Sequence, residues 1–149
     1  MSFERTLHVA WAHLDANGHM ANTAYLDIVV DVRFMYFSEC GFPPEEFHRL
    51  GIGPVVRRDE VDYYRELRLM QQIAINMQLA GASDDVSKFK LRHEIRREDG
   101  ELCARVTTLA GIFDLGSRKL IAPPQGLADA LRALDRSADF EALESSVRR

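Results

Sequence analysis

The sequence has little cysteine, no long apolar run and no surplus of positive charge. Its two cysteines, Cys40 and Cys103, stand far apart and in no spacing typical of metal ligands, which predicts two reduced thiols in a cytoplasmic protein. No stretch approaches the roughly 18 apolar residues of a membrane span, and the N-terminus lacks a basic region followed by an apolar core. The net charge of -4 argues against nucleic acid or an anionic membrane as a partner.

What the sequence does have is enough apolar material for one sizeable core. It is 149 residues long, 46% hydrophobic and 28% charged, with no internal repeat or low-complexity linker. A chain of this size and composition is typical of one globular domain. We expect a single domain over residues 1–134 and a polar C-terminal tail over 135–149.

The first third of the chain predicts a strand followed by a long buried helix. Residues 3–11 alternate loosely between apolar and polar side chains, as a half-buried strand does. Residues 23–40 are apolar around most of a helical circumference, which predicts a largely buried helix. Asn22 or Thr23 is the expected N-cap, and Gly41 is the expected C-terminal stop.

After the helix, side chains alternate with period two for about sixty residues, which is typical of an antiparallel sheet. Asp99-Gly100 predicts a hairpin turn. The predicted strands are 54–64, 72–81, 87–97 and 102–114, followed by a short amphipathic helix over 123–134 and a helical or frayed tail from Asp135. This order predicts an α+β fold in which one antiparallel sheet wraps around a long central helix.

A cluster of polar residues stands immediately before the predicted helix, in the stretch AHLDANGHMANTAYL. Taken singly, these residues have ordinary roles. Asp15 is a typical residue of a tight turn, Asn22 is a typical N-cap, and His19 is as readily a packed loop histidine as a participant in chemistry.

Taken together, Asp15, Gly18, His19, Asn22 and Tyr25 resemble the D-x-x-G-H-V-N-N-x-x-Y run of hotdog-fold acyl-CoA thioesterases, the 4-hydroxybenzoyl-CoA thioesterase-like family. The similarity continues in matching order over roughly residues 5 to 130. It implies the hotdog fold and hydrolysis of an acyl-CoA thioester to a free acid and CoA. The family's basic residues for the CoA phosphate do not match, because SDDVS stands at that place.

The resemblance assigns roles to individual residues. Asp15 and Asn22 are the expected catalytic residues, and Gly18, His19 and Thr23 are the expected substrate-binding residues. Asp15 would either attack the thioester or act as general base on water, and backbone N–H groups near Asn22 and Thr23 would polarise the carbonyl. Two alternatives remain open, a non-catalytic acyl-CoA binder and a hotdog dehydratase or hydratase.

The same resemblance bears on partners. A single hotdog sheet leaves a strand edge open, so we expect a homodimer or a homotetramer, with the GIGPVV segment of one subunit facing the Asp15 loop of the other. His8, His48 and His93 have no ligand at metal spacing, so we expect no metal. We also expect no cofactor apart from the CoA that belongs to the substrate.

Overall fold

The computed structural model describes residues 1–147. Its three helices are α1 (Ala24–Glu39), α2 (Pro44–Leu50) and α3 (Gln125–Ala133), and a 3₁₀ turn lies at Trp11–His13. The strands are β1 (Glu4–His8), β2 (Ile52–Tyr63), β3 (Gln72–Asn76), β4 (Gln78–Ala82), β5 (Lys88–Arg97), β6 (Leu102–Asp114), β7 (Lys119–Ile121) and β8 (Arg136–Ala142). No helix in residues 1–147 is long and apolar enough to cross a membrane.

All eight strands belong to one sheet. β5 lies at its centre, with β6 on one side and β3 and β4 in line on the other. β2 pairs with β6, β1 pairs with β3, and β7 pairs with the end of β6, all antiparallel. Within residues 1–147, β2 pairs with β6 alone, so its second edge is open along twelve residues.

The sheet curves around α1, which confirms the predicted α+β class and hotdog fold. The helix begins one residue later and ends one residue earlier than predicted, and Gly41 follows it with a φ of 91°, the left-handed backbone that favours glycine. Ile28, Val29 and Val32 are almost fully buried against the strands. Asp27 and Asp31 face solvent, so one stripe of the helix is exposed.

A buried hydrogen-bond chain fastens α1 to the sheet. The Nε of Arg33 donates to Nε2 of His93 at 3.0 Å, and its Nη2 donates to the hydroxyl of Thr108. His93 Nδ1 donates to the carbonyl oxygen of Asn76 at 2.8 Å, and the Thr108 hydroxyl donates to Asp59 at 2.5 Å. The chain therefore links the helix to β3, β5, β6 and β2.

In this buried hydrogen-bond chain, Arg33 is charged and His93 is neutral. Burial, followed by the neighbouring Arg33 cation, lowers the pKa of His93 to about 3, so the ring is neutral. Burial also lowers the pKa of Arg33 to about 10, which leaves the guanidinium charged at neutral pH. A neutral ring can accept a hydrogen bond from a cation, as the geometry requires.

Two predicted strands are wrong in detail. The strand predicted over 3–11 ends at His8, because the chain turns into the 3₁₀ helix, where Trp11 is 78% exposed. The strand predicted over 72–81 is two strands separated at Met77. The chain bends there because the Met77 N–H donates to Phe3 and the Asn76 side chain accepts from the Glu94 N–H.

The segment from Asp135 is also different from the prediction. It is not helical or frayed over 136–142, where β8 pairs parallel with β4. Polar side chains hold this strand in place, with Arg92 bound to Asp139 at 2.6 Å and Lys90 bound to Glu141. The short helix α2 was not predicted, although Pro44 at its start and Gly51 at its end are typical signals.

The neutral state of His93 predicts a pH dependence of stability. The unfolded ring has an ordinary pKa of 6.5 and the folded ring a pKa of about 3, so the unfolded state binds more protons between these values. The stabilisation is complete above pH 6.5 and is lost as the pH falls toward 3. We expect unfolding near pH 5.5 to take up close to one proton more in the wild type than in His93→Gln, measured from chemical denaturation across pH. Equal proton uptake would contradict a buried neutral His93.

Candidate active site

Asp15 lies in a tight loop that is closed by its own backbone. Its N–H donates to the carbonyl of His19 at 2.8 Å, and its carbonyl accepts from the Gly18 N–H at 3.1 Å. Gly18 has a φ of +78°, a backbone conformation that side-chain-bearing residues rarely adopt. A Cβ at Gly18 would meet no atom within 4 Å, so the turn and not a close neighbour requires glycine.

The Asp15 carboxylate is held by one of its two oxygens. Oδ1 accepts from the backbone N–H of Asn17 at 2.8 Å and of His19 at 3.2 Å, as expected of a turn aspartate. Within residues 1–147, Oδ2 accepts no hydrogen bond. The carboxylate therefore closes the turn through Oδ1 and leaves Oδ2 free to react.

The start of α1 offers unused donors. Thr23 occupies the N-cap position, but neither it nor Asn22 makes a side-chain cap, and both residues are exposed. Across residues 1–147, the backbone N–H groups of Asn22 and Thr23 make no hydrogen bond. These donors lie at the positive end of the helix dipole, where an anion or a developing oxyanion is stabilised. The Asn22 carbonyl is occupied, since it accepts from the Tyr63 hydroxyl at 2.8 Å.

His19 is half-buried beside an acid. Its Nε2 lies 3.2 Å from a carboxylate oxygen of Glu66, and its backbone forms an isolated bridge with Arg68. Its side chain is therefore oriented by a specific partner. Glu66 was not singled out by the sequence, because nothing in its spacing relates it to a residue 47 positions earlier.

A cleft of about 350 Å³ brings part of the predicted set together. Asp15, His19 and Asn22 line it, whereas Gly18 and Thr23 are not among its lining residues. The remaining walls come from Met20, Tyr25, Tyr63, Tyr64, Arg65 and Glu66. Tyr63 and Tyr64 end the predicted strand 54–64, and the sequence assigned them no role in the site.

Tyr25 and Tyr63 form an aromatic corner in this cleft. Their rings are nearly perpendicular, with centroids 5.1 Å apart. Burial, with smaller contributions from nearby acidic groups, raises the pKa of Tyr25 to about 12, so its hydroxyl stays neutral. In residues 1–147, no group of three or more His, Cys, Asp or Glu side chains is arranged to hold a metal ion.

The chain is similar to known proteins in sequence and in fold. Residues 9–131 match the family model of the thioesterase-like superfamily. A protein of Agrobacterium fabrum named L-carnitine dehydrogenase/betainyl-CoA thioesterase is 25% identical over 128 residues, which cover 86% of this chain. The chain spans about a quarter of the length of that relative, because the match covers 25% of it.

Solved structures share the fold. A 1,4-dihydroxy-2-naphthoyl-CoA thioesterase from Synechocystis superposes with a TM-score of 0.81 at 20% identity, covering 90% of this chain and 98% of that one. A Staphylococcus aureus protein solved in complex with CoA also gives a TM-score of 0.81 at 20% identity, covering 89% of this chain and 82% of that one.

The missing cap interaction predicts the effect of changing Asn22 on stability. Asn22→Ala should unfold within about 0.5 kcal/mol of the wild type, because no side-chain cap is lost. Gly18→Ala is the matched control in the same loop, and it should destabilise by about 1 kcal/mol through its positive φ. Chemical denaturation measures both. A loss of about 1 kcal/mol in Asn22→Ala would instead indicate a working N-cap.

Proposed function

Since the chain belongs to the thioesterase-like superfamily, we propose that it hydrolyses an acyl-CoA thioester with Asp15 as the catalytic carboxylate. The observation that carries the proposal is that Asp15, with its free Oδ2, lines the same cleft as Asn22, whose backbone N–H is unused, as is that of the adjoining Thr23. A thioester carbonyl in the cleft would meet both a nucleophile or base and donors for its oxygen.

Two routes use the same groups. As a general base, Asp15 takes a proton from water, the water oxygen attacks the carbonyl carbon, and the carbon–sulfur bond breaks to release CoA thiolate. As a nucleophile, Asp15 displaces the thiolate to form a mixed anhydride, which water then cleaves to the free acid. In both routes the helix N–H groups stabilise the negative oxygen, and water is the only co-reactant.

The other assigned residues have supporting roles in this proposal. His19, oriented by Glu66, contacts the substrate in the cleft. Gly18 shapes the turn, and the backbone of Thr23 supplies one donor. CoA as the leaving group is supported by the CoA complex of the Staphylococcus aureus protein and by the CoA thioesterase names of the other relatives.

Asp15→Asn is the direct test. Asparagine keeps an Oδ1 acceptor for the turn but removes the charge, so the fold should survive while turnover falls by a factor on the order of 10² or more. Release of CoA thiol from a panel of acyl-CoAs measures it. Asn22→Ala should cost less, because the backbone donors remain.

Two outcomes would overturn this assignment. If Asp15→Asn kept the wild-type turnover, Asp15 would have no catalytic role and would serve only to close the turn. Tight acyl-CoA binding without CoA release by the wild type would favour a non-catalytic binder.

A homodimer through β2 is the second part of the proposal. The open edge runs along a strand of twelve residues, and a protein ordinarily covers or blocks such an edge. A second copy of β2 is the natural cover, because an antiparallel pair about a two-fold axis is self-complementary. A further pairing into a tetramer remains a prediction from the family resemblance.

The side-chain pattern of β2 selects one register. Directly opposed residues must lie on the same face of the sheet, and a bulge at Arg57 shifts the alternation within the strand. With Asp59 of both copies on the axis, Arg58 lies opposite the partner's Glu60 on the outer face. Past the bulge, Val56 lies opposite the partner's Val61 on the inner face. Opposite charges therefore meet at the level of Arg58, and apolar side chains meet at the level of Val56.

The two Asp59 carboxylates would meet at this axis. Each accepts from Thr108, whose hydroxyl in turn accepts from the buried Arg33 cation. The Asp59 carboxylate of the same protomer already acts on the Arg33 cation and raises its pKa, although burial lowers that pKa more, so the cation offsets part of the charge of the paired acids. The register thus gives the buried cation a compensating role.

Charge reversal tests the dimer. Wild type should sediment at twice the 17.0 kDa chain mass at micromolar concentration. Arg58→Glu should weaken association about tenfold or more, because like charges then face each other twice, and the swap Arg58→Glu with Glu60→Arg should restore it. A 17.0 kDa monomer with full activity would overturn the dimer, and failure of the swap to restore it would overturn the register.

A further inference from the structure

Tyr25 places a nearly buried phenol in the wall of the Asp15 cleft. The residue is only 4% exposed and lines the cleft, yet within residues 1–147 its hydroxyl makes no hydrogen bond. Across the same residues, the unbonded side-chain atoms that are sealed from solvent are the Nε atoms of Arg97 and Arg105. The Tyr25 hydroxyl is therefore not sealed, and the space onto which it opens is the cleft.

Another buried tyrosine of the same helix shows what a structural hydroxyl does. The Tyr36 hydroxyl donates to the carbonyl oxygen of Ala130 and so joins α1 to α3. A buried hydroxyl without a partner is unfavourable by comparison, and phenylalanine at position 25 would avoid that cost. The Tyr25 hydroxyl therefore adds no stability to the fold, as is typical of a group that serves a ligand.

Three other side-chain donors of the cleft are engaged or exposed. The Tyr63 hydroxyl donates to a backbone carbonyl at 2.8 Å, and the Nε of Arg65 donates to Glu101 at 3.2 Å. Tyr64 is 44% exposed, so its hydroxyl is open to water. Tyr25 offers a donor that is both unbonded and shielded, and a hydrogen bond to a charged atom is stronger in such a place.

The proposed reaction leaves one charged atom without a donor. In both routes the carbon–sulfur bond breaks, and its electron pair goes to the sulfur of CoA. The backbone N–H groups of Asn22 and Thr23 serve the carbonyl oxygen in those routes. The departing sulfur therefore needs a donor of its own, placed where its negative charge develops.

We propose that the Tyr25 hydroxyl is a catalytic hydrogen-bond donor to the departing thiolate sulfur. The proposal rests on the proposed function, because it needs thioester cleavage in the cleft of Asp15. Tyr25 keeps its proton, since burial raises its pKa to about 12, whereas an ordinary thiol has a pKa of about 8.5. The sulfur therefore leaves as an anion that accepts a hydrogen bond from the phenol, and it takes its proton from solvent. The perpendicular packing of Tyr25 on Tyr63, with ring centroids 5.1 Å apart, fixes the direction of the phenol.

Tyr25→Phe and Tyr36→Phe form a matched pair, because each removes one hydroxyl from α1 and keeps the ring. Tyr25→Phe should unfold at the same denaturant concentration as the wild type, while its kcat for acyl-CoA hydrolysis falls about tenfold or more with KM unchanged. Tyr36→Phe, which lies outside the cleft, loses its bond to Ala130 and should unfold at a lower denaturant concentration with kcat unchanged. Release of CoA thiol and chemical denaturation measure the two effects.

The leaving group tests whether sulfur is the acceptor. Thioesters of one acyl group with N-acetylcysteamine and with 4-nitrothiophenol differ in the stability of the thiolate that they release. The aryl thiolate disperses its own charge and needs a donor less. Tyr25→Phe should therefore lose about tenfold or more in turnover of the alkyl thioester and about threefold or less in turnover of the aryl thioester. Equal losses on both thioesters would overturn the assignment to sulfur.

Failure of the Tyr25 role and failure of the proposed function give different results. Wild-type kcat in Tyr25→Phe, with turnover still dependent on Asp15, would overturn the role of Tyr25 and leave the hydrolase standing. A loss of stability in Tyr25→Phe that matches the loss in Tyr36→Phe would indicate a structural hydroxyl and would also overturn that role. Full turnover by Asp15→Asn would overturn the catalytic assignment on which the inference rests.

Discussion

The position of α1 inside the sheet is the constraint on which the rest of the structure depends. Apolar packing supplies the contact area, but apolar packing alone tolerates sliding and rotation. Arg33 removes that freedom, because its guanidinium must meet His93 on β5 and Thr108 on β6 together. A helix fixed in this way presents its N-terminus at one place, and the unused donors of Asn22 and Thr23 stand there.

The sequence was most informative where local chemistry decides the outcome. The helix bounds were predicted to within one residue, since Gly41 needs a left-handed backbone and the polar run ends at Thr23. The grouping of Asp15, His19 and Asn22 in one cleft follows from the same local order, because these residues close a turn directly before the helix. Their catalytic and binding roles remain predictions.

Features that depend on distant pairing were the ones missed. His93 is buried on the same strand as Phe89 and Leu91, yet its partner Arg33 lies 60 positions away on the helix. β8 is polar and is a strand only because β4 leaves an edge for it and basic side chains of β5 bind its acids. Glu66 enters the cleft by the fold of the chain after β2, for which no sequence spacing is diagnostic.

The two backbone hydrogen bonds to Oδ1 of Asp15 have a consequence for rate. A carboxylate on a free side chain rotates, and fixing it costs conformational entropy whenever it meets a reactant. In this loop the rotation is already arrested by the N–H groups of Asn17 and His19, so Oδ2 keeps one direction before anything enters the cleft. That entropy was lost on folding, and the oxygen therefore acts at a high effective concentration toward any electrophile held beside it.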